Sequence, residues 1–166
     1  MSADWAAVVG ELERLLKLRA HVFGMKLFEQ RAAMEATHEQ EAAVEWMVRS
    51  FYQRGLADEV LGPIFRGAIH DWEHHIRLVA DFWSNALYDT GRYKGNAFAP
   101  HMKLRFEPEA FEHWLAAFEP AAKESLPPEG AEKAIRIARH MVQSYRAGLF
   151  PFTGADGRPA RVPPRK

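Results

Sequence analysis

The sequence predicts an all-α protein, and three observations support that fold class. Apolar residues recur at the helical spacing i, i+3, i+4 and i+7 along several stretches, and no strand-like alternation persists anywhere. Glycine and proline clusters separate these stretches. With 166 residues, 48% hydrophobic and 27% charged, the chain is suited to one compact domain with a real core.

Charge and composition narrow the classes of function. The chain has 22 basic and 22 acidic residues, so no overall field favours nucleic acid or a membrane surface as a partner. It has no cysteine, which excludes disulfides, thiolate metal sites and cysteine nucleophiles and fits a reducing compartment. A secretory signal pattern and a membrane-spanning apolar stretch are both absent from the sequence. We therefore expect a cytoplasmic protein.

Residues 1–36 are predicted to form an N-terminal helical extension. A stripe of apolar residues indicates one or two amphipathic helices over residues 3–33, which would dock on the main body or on a partner. The stripe consists of Trp5, Val8, Val9, Leu12, Leu15 and Leu16. Thr37 is a favourable N-cap followed by acidic residues, so it predicts the start of a new helix and of the main domain, residues 37–149.

The first helix of the main domain is predicted to end at Gly55. Its inner stripe is Val44, Met47, Val48, Phe51 and Tyr52. Tyr52 is the only hydroxyl on that stripe, and a buried phenol needs a hydrogen-bond partner. The following Leu61-Gly-Pro-Ile-Phe65 is predicted to be a turn with apolar side chains, because glycine and proline mark a corner.

A helix from about Ala68 to Tyr88 carries two adjacent histidines that face different ways. Its buried stripe is Trp72, Ile76, Val79, Ala80, Trp83 and Leu87. His75 lies at the edge of this stripe, whereas His74 falls on a solvated face. A polar, glycine-containing loop, 89–96, then leads back to a further histidine, His101.

Two more helices and a tail complete the chain. The first runs from Pro108 to about Ser125 on a stripe of Phe111, Trp114, Leu115 and Phe118, with Pro120 expected to kink or shorten it. The second runs from about Ala131 to Gly148. Residues 150–166 are rich in proline, glycine and arginine without a core-forming period, which indicates a flexible C-terminal tail.

Three kinds of function are compatible with helices that carry inward histidines. A metal-dependent enzyme would need matched Glu-x-x-His pairs on facing helices, and only Glu35-x-x-His38 is present; His70, His74 and His140 are a weaker mononuclear alternative. A helical interaction module would need no cofactor. A planar cofactor fits better, with one wall lined by Tyr52, Phe65, His75, Val79, Trp83 and Trp114 and a single histidine, His101, opposite. Haem suits that arrangement, because its iron takes one proximal imidazole and leaves the sixth position open.

The ordered set of motifs resembles the truncated haemoglobins, and specifically group III of that family. The resemblance covers about Thr37 to Leu149. It is carried by Phe51-Tyr52, Leu61-Gly-Pro-Ile-Phe65, Trp72-x-x-His75 with Phe82-Trp83, Gly91-x-Tyr93-x-Gly95 running into His101, and Phe111-x-x-Trp114-Leu115. No single motif is specific, but their order and spacing together are.

The resemblance implies a two-over-two helical sandwich around haem b. His101 would be the proximal iron ligand, with Tyr52, His75 and Trp114 lining the distal, ligand-binding side. Phe65 would wedge the haem and Trp83 would pack on the distal helix; Phe51, Val79 and Tyr93 are further expected haem contacts. Two features depart from the family: Pro100 disfavours helix just before His101, so a short turn is expected there, and the N-terminal extension is longer than usual.

The implied function is binding of O2, NO and CO at a five-coordinate iron, with a polar distal pocket that also suits nitric-oxide-detoxifying or peroxidase-like chemistry. Tyr52 and Trp114 would donate hydrogen bonds to the bound ligand. An unidentified reductase is an expected partner, and the chain is expected to be a monomer or a weak dimer.

Overall fold

The structure is a computed structural model that describes residues 5–163, without the side chains of many residues in 5–36. Five α-helices are described: α1 Trp5–Ala57, α2 Leu61–Ala68, α3 Trp72–Tyr88, α4 Ala110–Ser125 and α5 Pro128–Leu149. A short 3₁₀ helix, Ala99–Lys103, lies between α3 and α4 in the chain. Helix α5 packs on α3 and on α4. The all-α prediction is therefore confirmed. Within the described range, no helix has the length and hydropathy needed to cross a bilayer.

The chain divides into two compact units, Met1–Gln40 and Glu41–Lys166. The predicted helix start at Thr37 is wrong, because α1 runs without interruption through this position. The preceding residues, Ala32 to Ala36, are good helix formers, and one threonine in a helix interior costs only a fraction of a kcal/mol, about 0.7 at most. The side chains of the predicted stripe from Trp5 to Leu16 lie outside the described part of the structure.

The corner after α1 is a helix rather than the predicted turn. Pro63 occupies the first turn of α2, where a missing N–H breaks no intrahelical bond. The Asp58 carboxylate accepts hydrogen bonds from the backbone N–H groups of Val60 and Leu61, both at 2.8 Å. Gly55, predicted as the end of α1, lies inside it; a Cβ there would come within 2.5 Å of the Phe65 ring, so glycine lets this ring approach the backbone.

Helix α3 begins at Trp72, later than predicted, because Asp71 caps it. The Asp71 side chain accepts a hydrogen bond from the backbone N–H of His74 at 3.0 Å. The helical period then places Ile76, Trp83 and Leu87 in the core, as predicted. Pro120 lies inside α4, which nevertheless continues to Ser125, and α5 starts earlier than predicted, with Pro128 in its first turn.

The buried side chains form two hydrophobic clusters. The larger cluster joins the C-terminal part of α1 to α2–α5 and includes Met47, Phe51, Tyr52, Trp83 and Phe118. The smaller cluster consists of Phe111, Leu149 and Phe150, with half-buried Phe98, Phe106, Val142 and Tyr145 against it. Half-buried Phe106 contacts both clusters. The core is therefore split, with a large part that involves all five helices and a small part at the C-terminal end of α5.

Phe118 is the centre of an aromatic stack. Its ring lies between Trp83, at a centroid distance of 4.6 Å, and Trp114, at 4.9 Å, and both pairs are close to parallel. Its side chain is only 1% exposed.

We expect Phe118→Ala to lower the free energy of unfolding by about 3–5 kcal/mol, because it leaves a cavity between two tryptophans. Urea unfolding monitored by circular dichroism measures this; Trp46→Ala, at a 64% exposed position, is the control and should change stability by less than about 0.5 kcal/mol.

The segment predicted as a flexible tail contains a short antiparallel hairpin. Strand β1, Phe152–Thr153, pairs with β2, Pro159–Ala160, and Gly157 adopts a positive φ of 81° in the connecting turn. Beyond β2, the Arg161 guanidinium lies over the rings of Phe106 and Phe150, at 4.7 and 4.8 Å. The composition did not reveal this, because strands of two residues carry no periodic signal. Residues 164–166 lie outside the described range.

Candidate functional site

His101 is held in the 3₁₀ helix with a fixed ring orientation. The Asn96 side chain accepts hydrogen bonds from the backbone N–H groups of Phe98 and Ala99, at 3.0 and 3.1 Å, and so caps this helix. The His101 ring donates from Nδ1 to the carbonyl oxygen of Ala97 at 2.8 Å. Because Nδ1 carries the proton, Nε2 keeps its lone pair, and no group among residues 5–163 is hydrogen-bonded to it. The short turn expected around Pro100 is thus a 3₁₀ helix that presents one free imidazole nitrogen.

The surroundings of His101 keep it neutral. Tyr145 of α5 packs on its ring at a centroid distance of 5.0 Å, and Phe98 packs on Tyr145 at 5.1 Å. The Phe98 ring rests against Gly148, where a Cβ would come within 2.8 Å of it. Burial lowers the pKa of His101, and the hydrogen bond to Ala97 offsets this only in part. A neutral imidazole with a free lone pair is the form that binds a metal.

Tyr52 and His75 form a hydrogen-bonded pair. The distance from Tyr52 Oη to His75 Nε2 is 2.6 Å, and the two rings meet edge to face. His75 is half-buried and His74 exposed, as the helical period of α3 predicted. Tyr52, only 8% exposed, also contacts Phe65 and Trp72. His75 is therefore the hydrogen-bond partner that the buried Tyr52 hydroxyl was predicted to need.

Burial sets the protonation of this pair. It raises the pKa of Tyr52 above the usual range, and it lowers the pKa of His75. The charge that His101 would carry also lowers the pKa of His75, so the two imidazoles lie within electrostatic reach of each other. At neutral pH the site therefore has a neutral phenol and two neutral imidazoles.

The remaining predicted site residues divide into core and lining positions. Phe51 and Trp83 are 3% and 2% exposed and pack inside the larger cluster. They therefore pack behind the residues that line the site and do not line it themselves. Phe65, Val79 and Trp114 are half-buried at the edge of that cluster. The Trp114 indole N–H donates no hydrogen bond to any described residue, so this donor is free for a ligand.

Tyr93 connects the loop after α3 to this region. The centroids of the Tyr93 and Phe82 rings are 5.3 Å apart. Burial raises the pKa of Tyr145, and the nearby Tyr93 makes a smaller electrostatic contribution in the same direction. Sequence reasoning did not place Phe98, Tyr145 or the Ala97 carbonyl in the site. The Ala97 carbonyl could not be found from the sequence, because it precedes the 3₁₀ helix and its contact with His101 depends on the local backbone.

The structure gives no support to a directly coordinated metal. Within the part of the chain described, no group of three or more histidine, aspartate or glutamate side chains is close enough to hold an ion. A cavity of about 540 Å³ lies between α4 and α5, away from the histidines at 75 and 101. Charged side chains line it, including Arg139, which already pairs with Glu119. The candidate site therefore lies around the imidazoles of His75 and His101 and not at this cavity.

His113, next to Trp114 on α4, pairs with Asp58 at the α1–α2 corner, with 2.8 Å between Nδ1 and Oδ2. This hydrogen bond and the Asp58 charge, with smaller effects of Glu59 and Glu112, raise the pKa of His113. The pair therefore stabilises the fold fully below pH 6.5, the ordinary histidine pKa, and less as pH rises through the folded-state pKa.

We expect His113→Gln to reduce the loss of stability between about pH 6 and 8. Urea midpoints across this range measure it; His140→Gln, at an exposed position, should leave the slope unchanged.

The residues present fit a haem. His101 offers an oriented, neutral imidazole with a free Nε2, and the Tyr52–His75 pair and the Trp114 indole offer polar groups from the other cluster. The apolar side chains along the two clusters, Phe65, Val79, Phe98 and Tyr145 among them, are half-buried rather than sealed in the core. This is the donor set and the apolar wall that a haem with one proximal histidine requires.

Comparison with known proteins gives a consistent result. No family model matches the chain. It is 29% identical over 119 residues to a group 3 truncated hemoglobin of Campylobacter jejuni, covering 69% of this chain and 94% of that protein. The crystal structure of the group III truncated hemoglobin from Campylobacter jejuni matches with a TM-score of 0.62 and 28% identity, over 66% of this chain and 91% of that one. The predicted resemblance to group III and the predicted truncated-globin fold are thereby confirmed.

Proposed function

We propose that the chain is a globin-type haem protein that binds haem b through His101 and binds O2, NO and CO on the side of Tyr52 and His75. The observation that carries the proposal is the hydrogen bond from His101 Nδ1 to Ala97, because it leaves Nε2 free, oriented and neutral. When bound, haem supplies an iron with an open sixth position for a diatomic ligand.

The distal residues would bind and stabilise a ligand that carries partial negative charge. In the tautomer that protonates Nε2, His75 donates to the Tyr52 oxygen, and the phenol proton is then free to point at the ligand. The Trp114 indole N–H is a second free donor. Low exposure of Tyr52 strengthens such bonds, because little water competes for them.

The same Tyr52–His75 hydrogen bond supports a five-coordinate iron in the absence of ligand. Nε2 of His75 is the atom that would otherwise reach the iron, and Tyr52 engages it at 2.6 Å. We propose redox reactivity, such as nitric oxide oxidation or a peroxidase-like reaction supported by an electron-donating partner, as the use of the bound ligand. A cytoplasmic location and a monomer or weak dimer are part of this proposal.

Reconstitution with haemin tests the function. We expect a 1:1 titration with a strong Soret band and, after anaerobic reduction, spectral changes with O2, CO and NO. Nitric oxide consumption in the presence of O2 and a reductant then tests the redox activity. A colourless protein that binds a divalent metal in stoichiometric amount would instead favour the metal-dependent enzyme, and a colourless one that binds no metal would favour an interaction module.

A further inference from the structure

The segment that carries His101 is locally basic. Between Asp89 and Glu107 the chain has four cationic residues and no acidic residue, although the whole protein has equal numbers of both. One of the four, Arg92, is neutralised because it pairs with Glu41 and lies 3.9 Å from Asp81. The other three, Lys94, Lys103 and Arg105, are exposed and form no hydrogen bond or ion pair with any described residue. The segment therefore carries three exposed cations that are not paired with a described carboxylate.

An exposed apolar side chain lies among these cations. Within the 3₁₀ helix, Ala99–Lys103, the His101 side chain is half-buried, whereas those of Met102 and Lys103 are exposed. Met102 is 62% exposed, and Arg105, two residues beyond the helix, is exposed as well. An apolar centre surrounded by charged residues is the usual anatomy of a protein–protein interface. We call Lys94, Met102, Lys103 and Arg105 the basic rim.

We propose that the basic rim docks an acidic one-electron donor protein that reduces the haem. The proposal rests on the function proposed above, and it names the partner class and the surface. Charge complementarity argues for an acidic partner, and the position argues for electron transfer, because Met102 directly follows the proposed iron ligand. One electron leaves the reduced partner and converts ferric to ferrous haem, with no bond made or broken.

The same cations would suit three other ligands, which the test separates. They would pair with the carboxylates of the haem itself, or they would attract an anionic membrane or nucleic acid. The zero net charge of the chain and the small size of the rim argue against the last two, since those surfaces are usually bound by larger basic patches.

The experiment uses the full haem-loaded chain and an acidic plant-type [2Fe–2S] ferredoxin as the probe. The variant is the triple Lys94→Glu, Lys103→Glu, Arg105→Glu. The control triple, Lys26→Glu, Lys123→Glu, Arg136→Glu, makes the same change in net charge at exposed positions elsewhere. Stopped-flow reduction of ferric haem is measured at low and high ionic strength, and calorimetry measures binding of oxidised ferredoxin to the haem-free chain. Haem titration of both triples is the third measurement.

At an ionic strength of about 10 mM we expect the rim triple to slow reduction at least about tenfold, and the control triple less than about threefold. At about 500 mM the difference should largely vanish, because salt screens exposed charges. The rim triple should also lose ferredoxin binding in calorimetry but keep its haem affinity and its circular dichroism spectrum.

Three results would overturn the proposal: equal rates for the two triples, loss of haem affinity by the rim triple with an unchanged rate per loaded molecule, or tight binding of anionic vesicles or DNA in place of ferredoxin. The calorimetric measurement needs no haem. A wild-type chain that bound ferredoxin through the rim but gave no Soret band would therefore refute the haem function and leave the docking surface standing.

Discussion

The His101→Ala variant is expected to lower haem affinity at least about a hundredfold. Changes to groups that only orient a metal ligand typically cost 10–100-fold in affinity, and this variant removes the ligand itself. Its neighbour Tyr145 and the Ala97 carbonyl lose their contact with the ring, but both are only partly buried, so the fold should survive. Haemin titration followed at the Soret band measures the loss, with circular dichroism as the check on folding.

Two further variants make this result specific. His101→Gly should recover a haem spectrum when imidazole is added, because the free ring can occupy the space of the missing side chain. His74→Ala, which removes an exposed histidine from α3, should titrate like the wild type. Unchanged haem affinity in His101→Ala would refute the assignment of His101 as the proximal ligand.

The second large effect is expected from Tyr52→Phe, which should speed O2 dissociation by about ten- to a hundredfold. A hydrogen bond to a charged group contributes about 1.5–3 kcal/mol, and each 1.36 kcal/mol corresponds to a factor of ten in rate. Tyr52 is 8% exposed, so water cannot replace the lost donor easily. Stopped-flow displacement of O2 by CO measures the rate.

The matched control is Tyr145→Phe, which deletes the same hydroxyl on the His101 side. It should leave O2 dissociation within about threefold of the wild type, because it offers no donor to the bound ligand. Tyr52→Phe also frees His75 Nε2 from its partner, so the double variant with His75→Ala separates loss of the donor from movement of the histidine. An off-rate unchanged in both would remove Tyr52 from the ligand site.

The helical period predicted most of what lies on α3. It distinguished half-buried His75 from exposed His74 and placed Ile76, Trp83 and Leu87 in the core, because a seventeen-residue amphipathic helix gives a long, regular signal. The Tyr52–His75 pair was not visible in the sequence, since it depends on how α1 and α3 meet. What the sequence offered was a buried phenol in need of a partner and an inward histidine.

The errors in the predicted fold came from short elements and from residues that were interpreted as helix boundaries. Proline and glycine in Leu61–Phe65 predicted a turn, but Pro63 fits the first turn of α2 and Asp58 caps that helix. Thr37 looked like a cap, yet the helix continues because neighbouring residues favour it. Phe118 was predicted as one of four stripe residues on α4; its place between two tryptophans follows only from tertiary packing.

The last part of the chain has a practical consequence for engineering. Arg161 covers Phe106 and Phe150, and it reaches them because the hairpin of β1 and β2 returns the backbone to the body. A chain cut after Phe150, one residue beyond the predicted end of the main domain, would leave the rings of Phe106 and Phe150 bare beside α5. Such a truncated product should be more prone to self-association and proteolytic trimming, so purification tags should follow residue 166 rather than replace the final segment.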